Sequence, residues 1–121
     1  MTDQTEDFDG FKLTEFGCPC GCKRGRVDSR LASLLTLTRR MLQQGMPDAR
    51  IIINSGYRCP EHNKAVGGST YSAHMVGEAA DLYAVDGTLR LNLLSAVIRA
   101  GFKRFEVCRA WIHVDVADDT R

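Results

Sequence analysis

Apolar residues recur at three and four positions in two stretches of the chain. From Asp28 or Ser29, either of which can cap, Leu31, Leu34, Leu35, Thr38, Met41 and Leu42 form one stripe that Gly45 ends. The spacing predicts an amphipathic helix with Arg30, Arg39, Arg40, Gln43 and Gln44 on its solvated face. A second helix is predicted from a Thr88 cap to a Gly101 stop, with Leu89, Leu93, Leu94, Val97 and Ile98 as its stripe. Near the C-terminus the period changes to two. Trp111, His113 and Asp115 then share one face of a strand, and Ile112, Val114 and Val116 the other. Three β-branched residues in a row make Arg50 to Asn54 a strand, and short strands fit Ala80 to Val85 and Phe105 to Cys108. Phe11 to Phe16 reads as a short strand or turn with Phe11, Leu13 and Phe16 packed. This order predicts an α+β fold with a central, mostly antiparallel sheet and flanking helices.

Length and charge narrow the function classes. The chain has 121 residues, 44% of them apolar, enough for one core. Residues 1–10 read as a flexible tail and 11–121 as a single domain. Sixteen basic residues against 15 acidic leave a net charge of +1, so no footprint for nucleic acid appears. No apolar run is long enough to span a membrane, and the acidic start, Met1 to Asp7, lacks the pattern of a secretory signal. The expectation is a protein made in the cytoplasm, and a monomer.

The chemistry concentrates between Ser72 and Asp81. His74 and Asp81 would lie roughly 10 Å apart along a regular helix, too far for one cation, so the chain must fold back. Gly77 is the residue best able to turn it. A third ligand is expected from the polar face of the last strand, where His113 stands. The long loop from Ser55 to His74 carries Arg58, whose planar guanidinium suits capture of a carboxylate or pairing with an acidic neighbour. His62 reads as a hydrogen-bonded or exposed histidine. Three cysteines in five residues, Cys18, Cys20 and Cys22, leave two readings open. They could form a second, structural metal site completed by Cys59 or Cys108, or stay as reduced thiols in a tight loop.

Ser55-Gly-Tyr-Arg58, Asn63, Val66-Gly-Gly68, Ser72-x-His74-x-x-Gly77-x-Ala-x-Asp81 and His113-x-Asp115 together resemble the zinc D-Ala-D-Ala carboxypeptidase group. That group lies within the larger set of lysostaphin, D-Ala-D-Ala metallopeptidase and hedgehog-like domains. The opening Phe11 to Cys18 is similar to the entry segment of short, often phage-borne members. The resemblance runs from about Phe11 to Asp115 and implies one zinc ion held by His74, Asp81 and His113. It implies substrate binding by Arg58, with Ser72 as a small polar residue beside the first ligand. Three protein ligands leave the fourth position to water, as in catalytic rather than structural zinc sites.

The resemblance also has a gap. Well-studied members place an acid three residues before the last ligand or a histidine shortly before it, where this chain has Ala110 and Trp111. A proton carrier must then come from elsewhere, and Glu106 and Asp115 are the candidates. A carboxylate at Asp115 could equally orient His113. The leading expectation is a zinc peptidase acting on peptidoglycan stem or cross-link peptides, as a D,D-carboxypeptidase or an endopeptidase, with a phage lytic or virion-associated role. The alternatives are a zinc-containing cell-wall peptide-binding module without turnover and a purely structural zinc domain.

Overall fold

The computed structural model describes residues 3–118. Residues 1–2 of the expected tail and 119–121 of the expected domain lie outside the described residues. Helix α1 (Ser29–Gly45) begins where Asp28 accepts a hydrogen bond from the Arg30 N–H at 2.8 Å, so Asp28 is the cap. Its buried residues are Leu31, Ala32, Leu35, Thr38 and Leu42, the face that the spacing marks. Strand β1 (Ile53–Ser55) starts later than the run of isoleucines suggests. The chain before it is extended, with Ile51 buried and Ile52 exposed, but its pairing to the sheet is irregular.

A short helix, α2 (Pro60–Ala65), lies inside the stretch read as loop. Proline at its first position and Glu61 in its first turn favour the start of a helix, but six residues are too few for a periodic stripe. Strand β2 (Ala79–Tyr83) is followed by α3 (Gly87–Ala100), then β3 (Arg104–Val107) and β4 (Trp111–Asp115). Helix α3 starts before Thr88. Asp86 accepts from the Leu89 N–H at 3.0 Å and so takes the capping role, while Gly101, at φ 106°, ends the helix as expected.

The four strands form one antiparallel sheet in the order β1-β2-β4-β3. Ala80, Leu82, Ile112 and Val114 join one hydrophobic core with Leu31, Leu35 and Leu42 of α1 and Leu93, Ala96 and Val97 of α3. Alternation sends the intervening residues to the other face. The register then sets Ser55 opposite Asp81, Asp81 opposite His113, and His113 opposite Glu106. One polar row thus crosses all four strands. The bulge between Ile53 and Ser55 is what brings Ser55 into it.

The polar segment before Phe11 makes specific contacts from Asp3 onward. The Gln4 N–H donates to the Val27 carbonyl at 2.6 Å, Asp9 pairs with Arg39 and Arg40, and the Phe8 ring lies 5.2 Å from Phe11 and 5.7 Å from Phe16. Arg39 and Arg40, expected on a purely solvated face, hold this segment against α1.

Between Ser72 and Asp81 the chain makes the predicted reversal. Residues Ala73–Val76 form one 3-10 turn capped by the Ser72 hydroxyl, and Gly77 leaves it at φ 73°. A Cβ at Gly77 would lie 2.8 Å from the Arg26 backbone oxygen, so both the dihedral and the space require glycine. Gly77→Ala is expected to destabilise the metal-free protein by about 2–4 kcal/mol in urea unfolding. Gly87→Ala, where a Cβ meets nothing within 4 Å, should change stability by less than about 1 kcal/mol. Equal effects would show that the turn tolerates a side chain.

Candidate metal centre

His74 comes from the turn, Asp81 from β2 and His113 from β4. One ligand atom of each lies within 4.8 Å of the others. Asp81 Oδ1 is 3.3 Å from His74 Nε2 and 2.9 Å from His113 Nδ1. A tetrahedral ion with bonds of 2.0–2.2 Å needs its ligands about 3.4 Å apart, so the donor set and its spacing fit zinc.

The far side of each imidazole is also tied. His74 Nδ1 lies 2.7 Å from the Gly56 carbonyl, to which it can only donate, so Nε2 is left to face the centre. His113 Nε2 lies 2.8 Å from Asp115 Oδ2, leaving Nδ1 toward Asp81. Asp115 is in turn held by Arg104 Nε at 2.7 Å and the Ala117 N–H at 3.0 Å, both on Oδ1. Both carboxylate oxygens of Asp115 are therefore engaged behind the ring. Glu106 is exposed on the edge strand, directly across from His113, and lines an open cleft with His113 and Asp115.

Arg58 joins the same group. Its Nη2 is 3.3 Å from Asp81 Oδ2, its Nε 3.2 Å from Ser55 Oγ and its Nη1 3.3 Å from Asn63 Oδ1. Of the two roles the sequence offers Arg58, the structure shows pairing with an acidic neighbour, Asp81, which sets the guanidinium beside the three candidate ligands. The Val66-Gly-Gly68 stretch has a local reason: a Cβ on Gly68 would collide with Asn63 Oδ1, which holds the guanidinium. Ser72 Oγ accepts from the His74 N–H at 3.2 Å. His62 is in neither cluster of ligand atoms among the described residues.

That second cluster consists of Cys18, Cys20, Cys22 and Cys59. Of the two completions left open by the sequence, the fold brings in Cys59. Cys108 instead follows β3 with its sulfur 3.8 Å from Glu106 Oε1. Spacing alone could not make that choice, because the contact to Cys59 spans about 40 residues of chain and depends on the loop closing.

The carboxylates and His113 shift one another's proton affinity. Burial works against ionisation of Asp81, yet hydrogen bonds from His113 and His74 hold it well below the usual carboxylate range. Asp115 is likewise opposed by burial but lowered to about 2 by His113, Arg104 and the Ala117 N–H. For His113 burial favours the neutral ring, and the hydrogen bonds to Asp115 and Asp81 outweigh it, raising the group to about 9.

The helix-flanked antiparallel sheet fits a hedgehog/DD-peptidase-like fold, and its two oriented imidazoles and carboxylate form a triad that could hold a metal ion. The family model described as Peptidase M15 matches residues 9–115, and the chain belongs to that family. The zinc D-Ala-D-Ala carboxypeptidase of Streptomyces albus G is 37% identical over 63 residues. The aligned part is 51% of this chain and 25% of that relative, so the chain spans about a quarter of the relative's length.

His113 has a folded value above its ordinary 6.5, so its contribution to metal-free stability is complete below pH 6.5 and lost as pH rises to about 9. The contribution of Asp115 is present above 3.8 and lost as pH falls to about 2. Zinc must displace the His113 proton, so zinc affinity should climb about tenfold per pH unit between 6.5 and 9. Competition with a chromophoric chelator measures this, and a flat profile above pH 7 would contradict the pairing.

Proposed function

We propose that the protein is a zinc peptidase that hydrolyses stem or cross-link peptides of peptidoglycan, as a D,D-carboxypeptidase or an endopeptidase. The observation that carries this reading is the convergence of His74, Asp81 and His113, each with its remaining polar atoms tied, beside Arg58. Membership in the M15 family supports peptidase chemistry, and the name of the Streptomyces relative supports the substrate class. His74, Asp81 and His113 would hold the zinc ion, which would supply Lewis acidity toward a carbonyl and lower the pKa of a water.

The chain's own groups would do the remaining work. Gly56 and Asp115 fix the two rings in the tautomers that present a lone pair to the cation. Arg58 carries five N–H groups, of which three make the contacts above, and the other two suit a terminal carboxylate or a carbonyl of the substrate. Ser72 keeps the His74 turn closed and stands next to the bound peptide. Glu106 takes a proton from the attacking water and returns it to the leaving amine, because its carboxylate is exposed on the row that holds His113. Asp115 positions His113 instead, since both its oxygens are occupied on the far side of the ring. One chain supplies every group, so the reading needs no second copy. A phage lytic or virion-associated role would bring such a chain to the wall.

Ala110 favours a second reading. It stands where the resemblance implies an acid, and a module that binds cell-wall peptides without turnover would need none. Purified sacculi and short peptides ending in D-Ala-D-Ala separate the two. The peptidase releases D-alanine or new amines, a chelator stops it and zinc restores it; retention on sacculi with no soluble product selects the module. Glu106→Gln should lower kcat by about 10²–10⁴ with zinc content unchanged. Asp115→Asn should instead weaken zinc binding by about 10–100-fold. A Glu106→Gln variant with the parental rate would remove Glu106 from the reaction.

A further inference from the structure

We infer that Cys18, Cys20, Cys22 and Cys59 hold a second zinc ion, a closed tetrathiolate centre separate from the His74, Asp81, His113 triad. Three of the sulfurs form a nearly equilateral triangle: Cys18 to Cys20 is 3.4 Å, Cys20 to Cys59 is 3.5 Å and Cys18 to Cys59 is 3.6 Å. Cys22 completes the set with all four sulfurs within 4.8 Å of one another. A tetrahedron of sulfurs bound at 2.3 Å has edges of about 3.8 Å, close to these separations. A disulfide needs two sulfurs at 2.03–2.05 Å, and three near-equal distances single out no pair. All four are free thiols.

The backbone around the sulfurs is arranged to bear their charge. The Cys59 N–H donates to Cys18 Sγ at 3.4 Å and the His62 N–H to Cys59 Sγ at 3.3 Å. The Cys18 N–H donates to the Arg24 carbonyl at 2.8 Å, closing the loop that carries three of the cysteines. Uptake of one zinc ion by four thiols releases four protons and leaves two net negative charges, toward which the Cys59 and His62 N–H groups point. No sulfur is left over and no position is open to water, which is the pattern of a structural site.

The location gives the ion its task. Cys59 directly follows Arg58, and the same few residues supply the Gly56 carbonyl to His74 and the Tyr57 N–H to the Phe16 carbonyl. Cys18, Tyr57 and Cys59 form a small buried cluster of their own beside the main core. The second ion therefore clamps the entry loop to the segment that orients the first ligand and Arg58.

Metal counting and zinc-edge X-ray absorption on the full chain, purified under reducing conditions, test this. Two zinc ions per chain are expected, one with only sulfur neighbours at about 2.3 Å. His74→Ala should retain one zinc with the all-sulfur shell, and Cys59→Ser should lose that shell. Where Cys59→Ser does not fold, the spectrum of His74→Ala decides alone. A His74→Ala protein with no zinc, with a cation other than zinc, or with zinc bound only through nitrogen and oxygen overturns the proposal. Failure at the triad is distinguishable: where it binds no zinc, the parent and His74→Ala carry the same single all-sulfur ion, and where it binds zinc without turnover, the parent still carries two ions while sacculi release no product.

Discussion

The carboxylate of Asp81 is the constraint around which the rest of the site is arranged. It sits on a central strand of the sheet, its Oδ1 shared by two imidazoles and its Oδ2 facing Arg58. A buried acid without such partners would cost several kcal/mol, and its partners would be stranded with it. Each partner therefore needs its own support. His74 leans on the Gly56 carbonyl, His113 on Asp115, Asp115 on Arg104, and Arg58 on Ser55 and Asn63. Polar groups inside the sheet's exposed face are thus satisfied in a chain that runs outward from one carboxylate.

That chain depends on register. Alternation puts Leu82 and Ile112 into the core on one face and Asp81 and His113 into the site on the other. A slip of β2 by one residue against β4 would turn Asp81 into the core and Leu82 out of it, parting Asp81 from His113. Apolar residues outside the site therefore specify where the three candidate ligands stand. The helices contribute in the same indirect way, since α1 and α3 cover the apolar face and leave the opposite one open.

What could be read from the sequence follows from how local each signal is. The stripes of α1 and α3 and the alternation of β4 rest on neighbours a few residues apart, and they identify the elements and the face that holds His113. The reversal at Gly77 follows from a distance argument within ten residues. The Asp86 start of α3, the bulge before Ser55 and the six-residue α2 escape such reasoning, because competing caps and short elements leave weak local signals. Residues 3–10 look polar enough to be a tail. Their anchors, Arg39 and Arg40 for Asp9 and Phe16 for Phe8, are visible only once α1 and the entry turn are in place. The choice of Cys59 over Cys108 is of the same kind.

The absence of an acid at position 110 has a structural counterpart in the turn between β3 and β4. The Ala110 carbonyl accepts the Ala84 N–H at 3.0 Å, which commits this part of the turn to closing the end of β2. Glu106 lies on the paired strand, directly opposite His113, where facing Cβ atoms are about 4.5–5.5 Å apart. Glu106 therefore lies on the same side of the sheet as His113. The proton-carrying role proposed for Glu106 thus rests on strand register rather than on distance along the chain.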